Sequence, residues 1–445
     1  MTLNESASAK ANGSGGNFKE KFGIRVPLLA FFLITSLFFM WGVAHNLTDT
    51  LLAAFKRIMS LSDFQTSWIQ IAFYGSYFSL AIPAAIYIKR YTYQSGVLLG
   101  LAMYITGALL FYPASLVLQY SFFLVALFIL AGGLAVLETA CNPYIIAMGD
   151  DATGTGRLNL AQAFNPLGAL SGVVISKFYI LSQLDISSAD ERSVMSAEKL
   201  NVIQEAELSA VMGPYVTVGI LLIVLWIIIY FYKMPKISDE YTSIDFVPTF
   251  KRLLNNKNYT LGVVAQFFYV GAQICVWSFI IRYAMVELNI NESEASNYYI
   301  ASLLVFILFR FIYTTLMTYF KPAVLLSLSS ILAIISTLFA IVFSGIVGVI
   351  ALVTISGFMS LMFPTIFGLA SEGLSKDDTK MASSGLIMAI GGGAAFPAIM
   401  GLISDYTGSI HISYLVPLLC FVVVWYFGWY HNKISNSSQG TVAGA

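Results

Sequence analysis

Long apolar runs alternate with short polar ones along this chain. A bilayer core about 30 Å thick takes about 20 helical residues at about 1.5 Å each. Runs that meet this length fall near 24–55, 66–88, 95–118, 120–148, 158–182 and 210–232. Six more follow near 260–288, 296–320, 322–344, 346–372, 381–406 and 411–431; in chain order they are spans 1 to 12. Between spans 6 and 7 lies the most polar interior stretch, 233–258, with Lys233, Lys236, Lys251, Arg252 and Lys257. The pattern predicts an all-α integral membrane protein with twelve transmembrane helices in two six-helix bundles, 24–232 and 259–432. A central linker at 233–258 joins them, and tails at 1–23 and 433–445 flank them.

Residues 1–23, rich in Ser, Gly, Asn and Ala, read as a disordered tail. The run after them is too long for the apolar core of a signal peptide. Basic residues set the orientation. With both termini on one side, that side carries sixteen lysines and arginines outside the spans and the other only four, Lys56, Arg57, Arg192 and Lys199. Both termini are therefore expected in the cytoplasm.

The halves look repeated. Pro143, Arg157 and Gly168 stand at intervals of 14 and 11 residues, and Pro364, Lys380 and Gly391 at 16 and 11. Corresponding positions lie 221 to 223 residues apart, close to half of the 445. A duplicated transporter with substrate near the midplane fits this spacing.

Composition agrees. Hydrophobic residues make up 58% and charged residues 10%, against about 25% charged in soluble chains. Mean hydropathy is +0.80. Lys+Arg and Asp+Glu both number 23, so charge points to no nucleic-acid partner. Cys141, Cys275 and Cys420 lie in apolar runs without metal-type spacing and read as buried core. No cofactor is expected, and no nucleophile triad or phosphate loop supports an enzyme. The triplet Gly391–Gly393 reads as a place of close packing or bending.

Ionisable groups inside a span are costly and read first as functional. The candidates are Asp49 on span 1 and Glu138 on span 4, with Lys177, Arg282 and Arg310 further along. Arg310 is expected to snorkel or pair near the inner face. Helical spacing groups the acids with amides: Asn46 with Asp49, Glu138 with Asn142, Gln162 with Asn165, and Gln266 with Gln273. Trp41, His45 and Asp49 follow steps of four, which adds an aromatic to the polar face of span 1. Amides and carboxylates that pair with hydroxyls, beside an aromatic face, suit a sugar. The alternatives are an interfacial Asp49, a structurally paired Glu138, and amides that act as interhelical glue.

The segments FFMWGVAHNLTDTLL, AGGLAVLETACNPYI, RLNLAQAFNPLGA, AQFFYVGAQICVWSFIIRYA and FPTIFGLASEGL resemble the fucose permease branch of the major facilitator superfamily. The likeness runs from about Ile24 to Tyr430. It implies two six-helix bundles around a central cavity and alternating access. It also implies that Asp49 and Glu138 bind sugar and couple protons, and that Gln162, Asn165, Gln266 and Gln273 line the sugar site. The sequence departs from the superfamily pattern between spans 2 and 3, where only the basic pair Lys89 and Arg90 is kept, and at Phe309, where glycine is common.

The expected function is cation-coupled symport of a hexose such as L-fucose, galactose, glucose or N-acetylglucosamine. The partners are that sugar, a proton or sodium ion, and the bilayer, with the chain acting as a monomer. Burial disfavours the charged form of a carboxyl, so a cavity acid could load a proton with sugar and release it inside. A sodium-coupled carrier, a drug:proton antiporter and a non-transporting sensor or membrane enzyme are the alternatives.

Overall fold

Backbone groups inside a bilayer must be satisfied within the segment, which makes each apolar run a helix. In the computed structural model the described residues are 15–58, 63–117, 119–180, 195–235 and 246–442. The side chains of His45, residues 48–67 and Lys177 lie outside that description. Eleven described helices are long and apolar enough to cross a membrane, and Leu28–Ala44 adds a shorter apolar one at span 1.

In the first half the spans are Leu28–Ile58, Asp63–Arg90, Tyr93–Val117, Tyr120–Ala147, a broken fifth, and Ala197–Phe231. Span 5 is Gly154–Gln162 and Phe164–Ile175, interrupted at Ala163 and closed by a π-helical turn, Ser176–Ile180. The second half has Lys257–Leu288, Glu292–Leu316, Pro322–Val342, Ile346–Met359 continued by Met362–Ser371, a broken eleventh, and Leu415–Val442. Span 11 is Lys376–Met388 and Gly392–Thr407, joined by the 3-10 turn Ala389–Gly391. Spans 5 and 11, paired by the sequence repeat, are thus both interrupted partway across.

Packing repeats as well. Span 1 packs on 5, 2 on 4, 3 on 4 and 3 on 6; in the second half 7 packs on 11, 8 on 10, 9 on 10 and 9 on 12. Small residues allow the closest approaches. A Cβ on Gly42 would lie 1.9 Å from the carbonyl oxygen of Asn165, and one on Gly168 1.9 Å from that of Phe39. Across the repeat, a Cβ on Gly392 would lie 2.0 Å from the carbonyl oxygen of Phe267. Gly391, by contrast, has nothing within 4 Å, so close packing in the triplet falls to its neighbours. Cys141, Cys275 and Cys420 are buried and free.

Two polar segments carry more structure than their composition suggests. Within the N-terminal tail, Gly15–Lys21 is helical, and Phe22, Ile24 and Val26 are buried. Ile24 bridges to Gly149, and Arg25 pairs with Asp150. Arg157, read above as a landmark of the repeat and one of the basic residues that set topology, is fully buried. It donates to the carbonyls of Phe22, Ile145 and Asp150, tying the tail to the turn after span 4. In the central linker, Phe246–Asn255 is a helix that buries Thr249 and Leu253.

Candidate functional site

Between the halves lies a cavity of about 150 Å³. Spans 1, 2, 4 and 5 build one wall and spans 7, 8, 10 and 11 the other. Four of the eight expected site residues line it: Glu138, Gln162, Asn165 and Gln273. Glu138 is 3% exposed, and its Oε1 accepts the Tyr77 hydroxyl at 2.9 Å. Tyr77 itself lines the cavity and packs against Phe73 with ring centroids 5.4 Å apart. Gln162 and Asn165, three residues apart on either side of Ala163, both reach the cavity. Asn165 also donates from Nδ2 to the Phe38 carbonyl at 3.3 Å.

Of the other four, three fall elsewhere and the fourth is not described. Asn142 does not line the cavity; its Oδ1 accepts from Gln162 Nε2 at 2.9 Å, so it orients a cavity amide from behind. Gln266 is fully buried below the cavity, and neither side-chain atom finds a hydrogen-bond partner among the described residues. Asn46 is buried against span 5, where a Cβ on Gly172 would lie 2.9 Å from its own Cβ. The side chain of Asp49 lies outside the described residues.

Aromatic rings supply the apolar walls. Trp41 stacks on Phe38 at 5.5 Å and 20°. Trp277 meets Phe306 at 68° with centroids 5.1 Å apart, and its Nε1 donates to Ser356 Oγ at 3.2 Å. All four rings face the cavity.

Arg310 overturns its expected place. It neither snorkels nor pairs at the inner face: it is 3% exposed and lines the cavity. Its guanidinium lies 5.1 Å from the centroid of the Phe306 ring, and Nε and Nη1 find no hydrogen-bond partner among the described residues. The cavity thus holds a carboxyl group from one half and a guanidinium from the other. Such a pair could accept from and donate to the hydroxyls of one small polar molecule. The sequence signal for Arg310 was its position, a charge well inside an apolar run. Arg282 is instead exposed, 3.9 Å from Asp405.

One side of the cavity is shut by bonds between the halves. Asn159 Nδ2 donates to Thr365 Oγ1 at 3.2 Å, and Ser383 Oγ donates to the Thr139 carbonyl at 3.1 Å. Lys380 lies 5.4 Å from the centroid of the Tyr93 ring. Beyond this closure a crevice of about 700 Å³ opens around Arg25, Asp150, Lys321, Glu372 and His431. Its mixed charges belong to the end surface of the molecule, apart from the cavity.

The Major Facilitator Superfamily profile matches residues 28–396. The L-fucose-proton symporter of Haemophilus influenzae is 41% identical over 419 residues, covering 92% of this chain and 97% of that protein. A glucose/galactose transporter of Brucella abortus is 33% identical over 405 residues, covering 90% and 93%. A crystal structure of a Major Facilitator Superfamily transporter in the outward conformation superposes with a TM-score of 0.85 at 39% identity, covering 90% of this chain and 98% of that one.

Proposed function

This chain belongs to the Major Facilitator Superfamily, and from that premise we propose that it is a sugar symporter that couples hexose entry to protons. The carrying observation is one cavity, shared by both halves, in which Glu138 stands among Gln162, Asn165 and Gln273 and against Trp41 and Trp277. The amides and Arg310 bind hydroxyls, and the rings cover the apolar face of the sugar. The L-fucose-proton symporter and glucose/galactose transporter named above support this substrate class. The cavity, about 150 Å³, is smaller than the roughly 300–1,000 Å³ of drug-sized sites. That favours a monosaccharide over a drug as cargo.

Glu138 is the coupling acid in this reading, with Asp49 its companion on span 1. Protonation removes the cost of burying a bare carboxylate when the cavity is closed on both sides. The proton therefore boards with the sugar and leaves when the inner side opens. Asn142 supports Gln162 from behind, and Asn46 packs against span 5. Spans 1–6 and 7–12 move as two bodies about the central linker. Both termini and the linker lie in the cytoplasm, on the sixteen-to-four distribution of basic residues. The closure by Asn159, Thr365, Ser383 and Thr139 is then the inner gate, and the structure is the outward-facing state.

The test is paired transport in proteoliposomes. Glu138→Gln keeps the size of the side chain but cannot exchange a proton. It should still equilibrate labelled sugar by counterflow and fail to accumulate it under a pH gradient; Asp49→Asn is the companion variant. Full pH-driven accumulation in both single variants would overturn proton coupling through these acids. Accumulation that follows sodium at fixed pH would replace the proton altogether. A panel of L-fucose, galactose, glucose, mannose and N-acetylglucosamine in the same assay names the cargo.

A further inference from the structure

The linker helix Phe246–Asn255 has two apolar faces, and the protein covers only one. Thr249 and Leu253 are buried and Phe246 is half-buried. Val247, Phe250 and Leu254 are 72%, 45% and 54% exposed. These three stand at i, i+3 and i+7, which places them on a single stripe of the helix. Phe246 stacks on Phe250 with centroids 6.0 Å apart and planes 9° from parallel, which stiffens the edge between the two faces.

The roll of the helix is fixed. Lys89 Nζ donates to Thr249 Oγ1 at 3.3 Å from the end of span 2, and Arg252 Nη2 donates to Asp378 Oδ1 at 2.7 Å on span 11. With those bonds in place the stripe cannot turn inward. Its position along the membrane normal is fixed too. Asn256 alone separates this helix from span 7, which begins at Lys257, and its side chain caps that span by accepting from the Tyr259 amide at 3.1 Å. Leu254 therefore sits three residues from the start of a membrane span. Exposed Lys251, one turn from Val247, borders the stripe, and exposed Lys257 follows it.

We propose that Phe246–Asn255 lies along the membrane surface on the linker side, with Val247, Phe250 and Leu254 in the leaflet and Lys251 and Lys257 on anionic phospholipid headgroups. An apolar stripe bordered by lysines at the level of the headgroups is the arrangement that interfacial helices use. It continues the lipid-facing surface of span 7, where Val264 is also exposed. Because the same helix bonds to Lys89 of one half and Asp378 of the other, docking it would also tie both halves to the lipid surface.

The experiment uses the full chain in vesicles, spin-labelled at Val247→Cys, Phe250→Cys, Leu254→Cys or Asn255→Cys; the three native cysteines are buried. Collision with oxygen, which partitions into lipid, is compared with collision with a water-soluble nickel chelate. In phosphatidylglycerol-containing vesicles, labels at 247, 250 and 254 should favour oxygen and the label at 255 nickel. Lys251→Gln with Lys257→Gln should lower the ratio of inserted to water-exposed label by about fivefold per lysine. Nickel access along the whole stripe in every vesicle would overturn the proposal and leave the face for a protein partner. Equal insertion with and without phosphatidylglycerol would overturn the part assigned to anionic lipid.

Discussion

Gln266 and Gln273 stand two turns apart on span 7, about 10 Å along its axis, and their surroundings differ. Gln273 lines the cavity, whereas Gln266 is fully buried below it with neither amide atom paired among the described residues. A hydrogen bond is worth about 0.5–1.5 kcal/mol, and a stranded partner raises the loss. Gln273→Ala and Asn165→Ala should therefore weaken sugar binding by severalfold to tenfold or more, measured as the half-saturating concentration in counterflow. Gln266→Met, close in volume and without a polar group, should leave that concentration unchanged and the thermal midpoint equal or higher. Unchanged affinity in Gln273→Ala and Asn165→Ala would make those amides packing groups. Spacing put Gln266 and Gln273 on one face but could not say how deep the cavity runs. Asn142 raises the same question of depth: i,i+4 from Glu138 put it on the face of the cavity, and its side chain meets Gln162 rather than lining the wall. Arg310 was visible as a charge inside a span, but its depth depends on where span 8 sits against its neighbours.

Contact between spans 1 and 5 depends on backbone approach at Gly42 and Gly168. A Cβ at either would stand 1.9 Å from a carbonyl oxygen of the facing span, and at Gly42 that oxygen belongs to Asn165. Gly42→Ala must push the two spans apart, so both the fold and the position of a cavity amide should suffer. The expected result is a thermal midpoint lowered by several degrees in detergent, together with weaker sugar binding. Gly156→Ala in span 5 has nothing within 4 Å and should stabilise the helix by up to about 1 kcal/mol. A Gly42→Ala protein as stable as the parent would show that the spans can part freely. Elements of this kind were legible where the pattern was long and apolar, and the proline, basic and glycine landmarks matched helices that pack alike in both halves. The interruption in span 11 falls at the start of the Gly391–Gly393 triplet, read from the sequence as a place of close packing or bending, whereas the break at Ala163 was not expected, because the amides around it read as binding groups rather than as a break. Helical structure in the tail and the linker was hidden by polarity, since the contacts that order those short helices come from distant turns.

At the scale of the whole molecule, the bonds that shut one side of the cavity obey the repeat. Asn159–Thr365 joins span 5 to span 10 and Ser383–Thr139 joins span 11 to span 4, so the two contacts correspond by span, though not residue by residue, under the exchange of halves. Two contacts that each cross from one half to the other open together when the halves rock, which is the motion alternating access requires. Thr155 and Gly368 meet at the same closure, where a Cβ on Gly368 would lie 2.9 Å from Thr155 Cβ. A disulfide prefers about 3.5–4.5 Å between Cβ atoms, so a parting of about 1 Å would admit one. Thr155→Cys with Gly368→Cys, oxidised in proteoliposomes, should hold this side shut. Counterflow should then stop while sugar still binds from the opposite side, and a reductant should restore exchange. Each single cysteine controls for the substitution itself, which matters at Gly368 because its space is small. If the bridged protein continued to exchange sugar, the closure would not be a gate. If bridging abolished binding as well as exchange, the cavity would be reached through this side, and the assignment of the outward-facing state would be reversed.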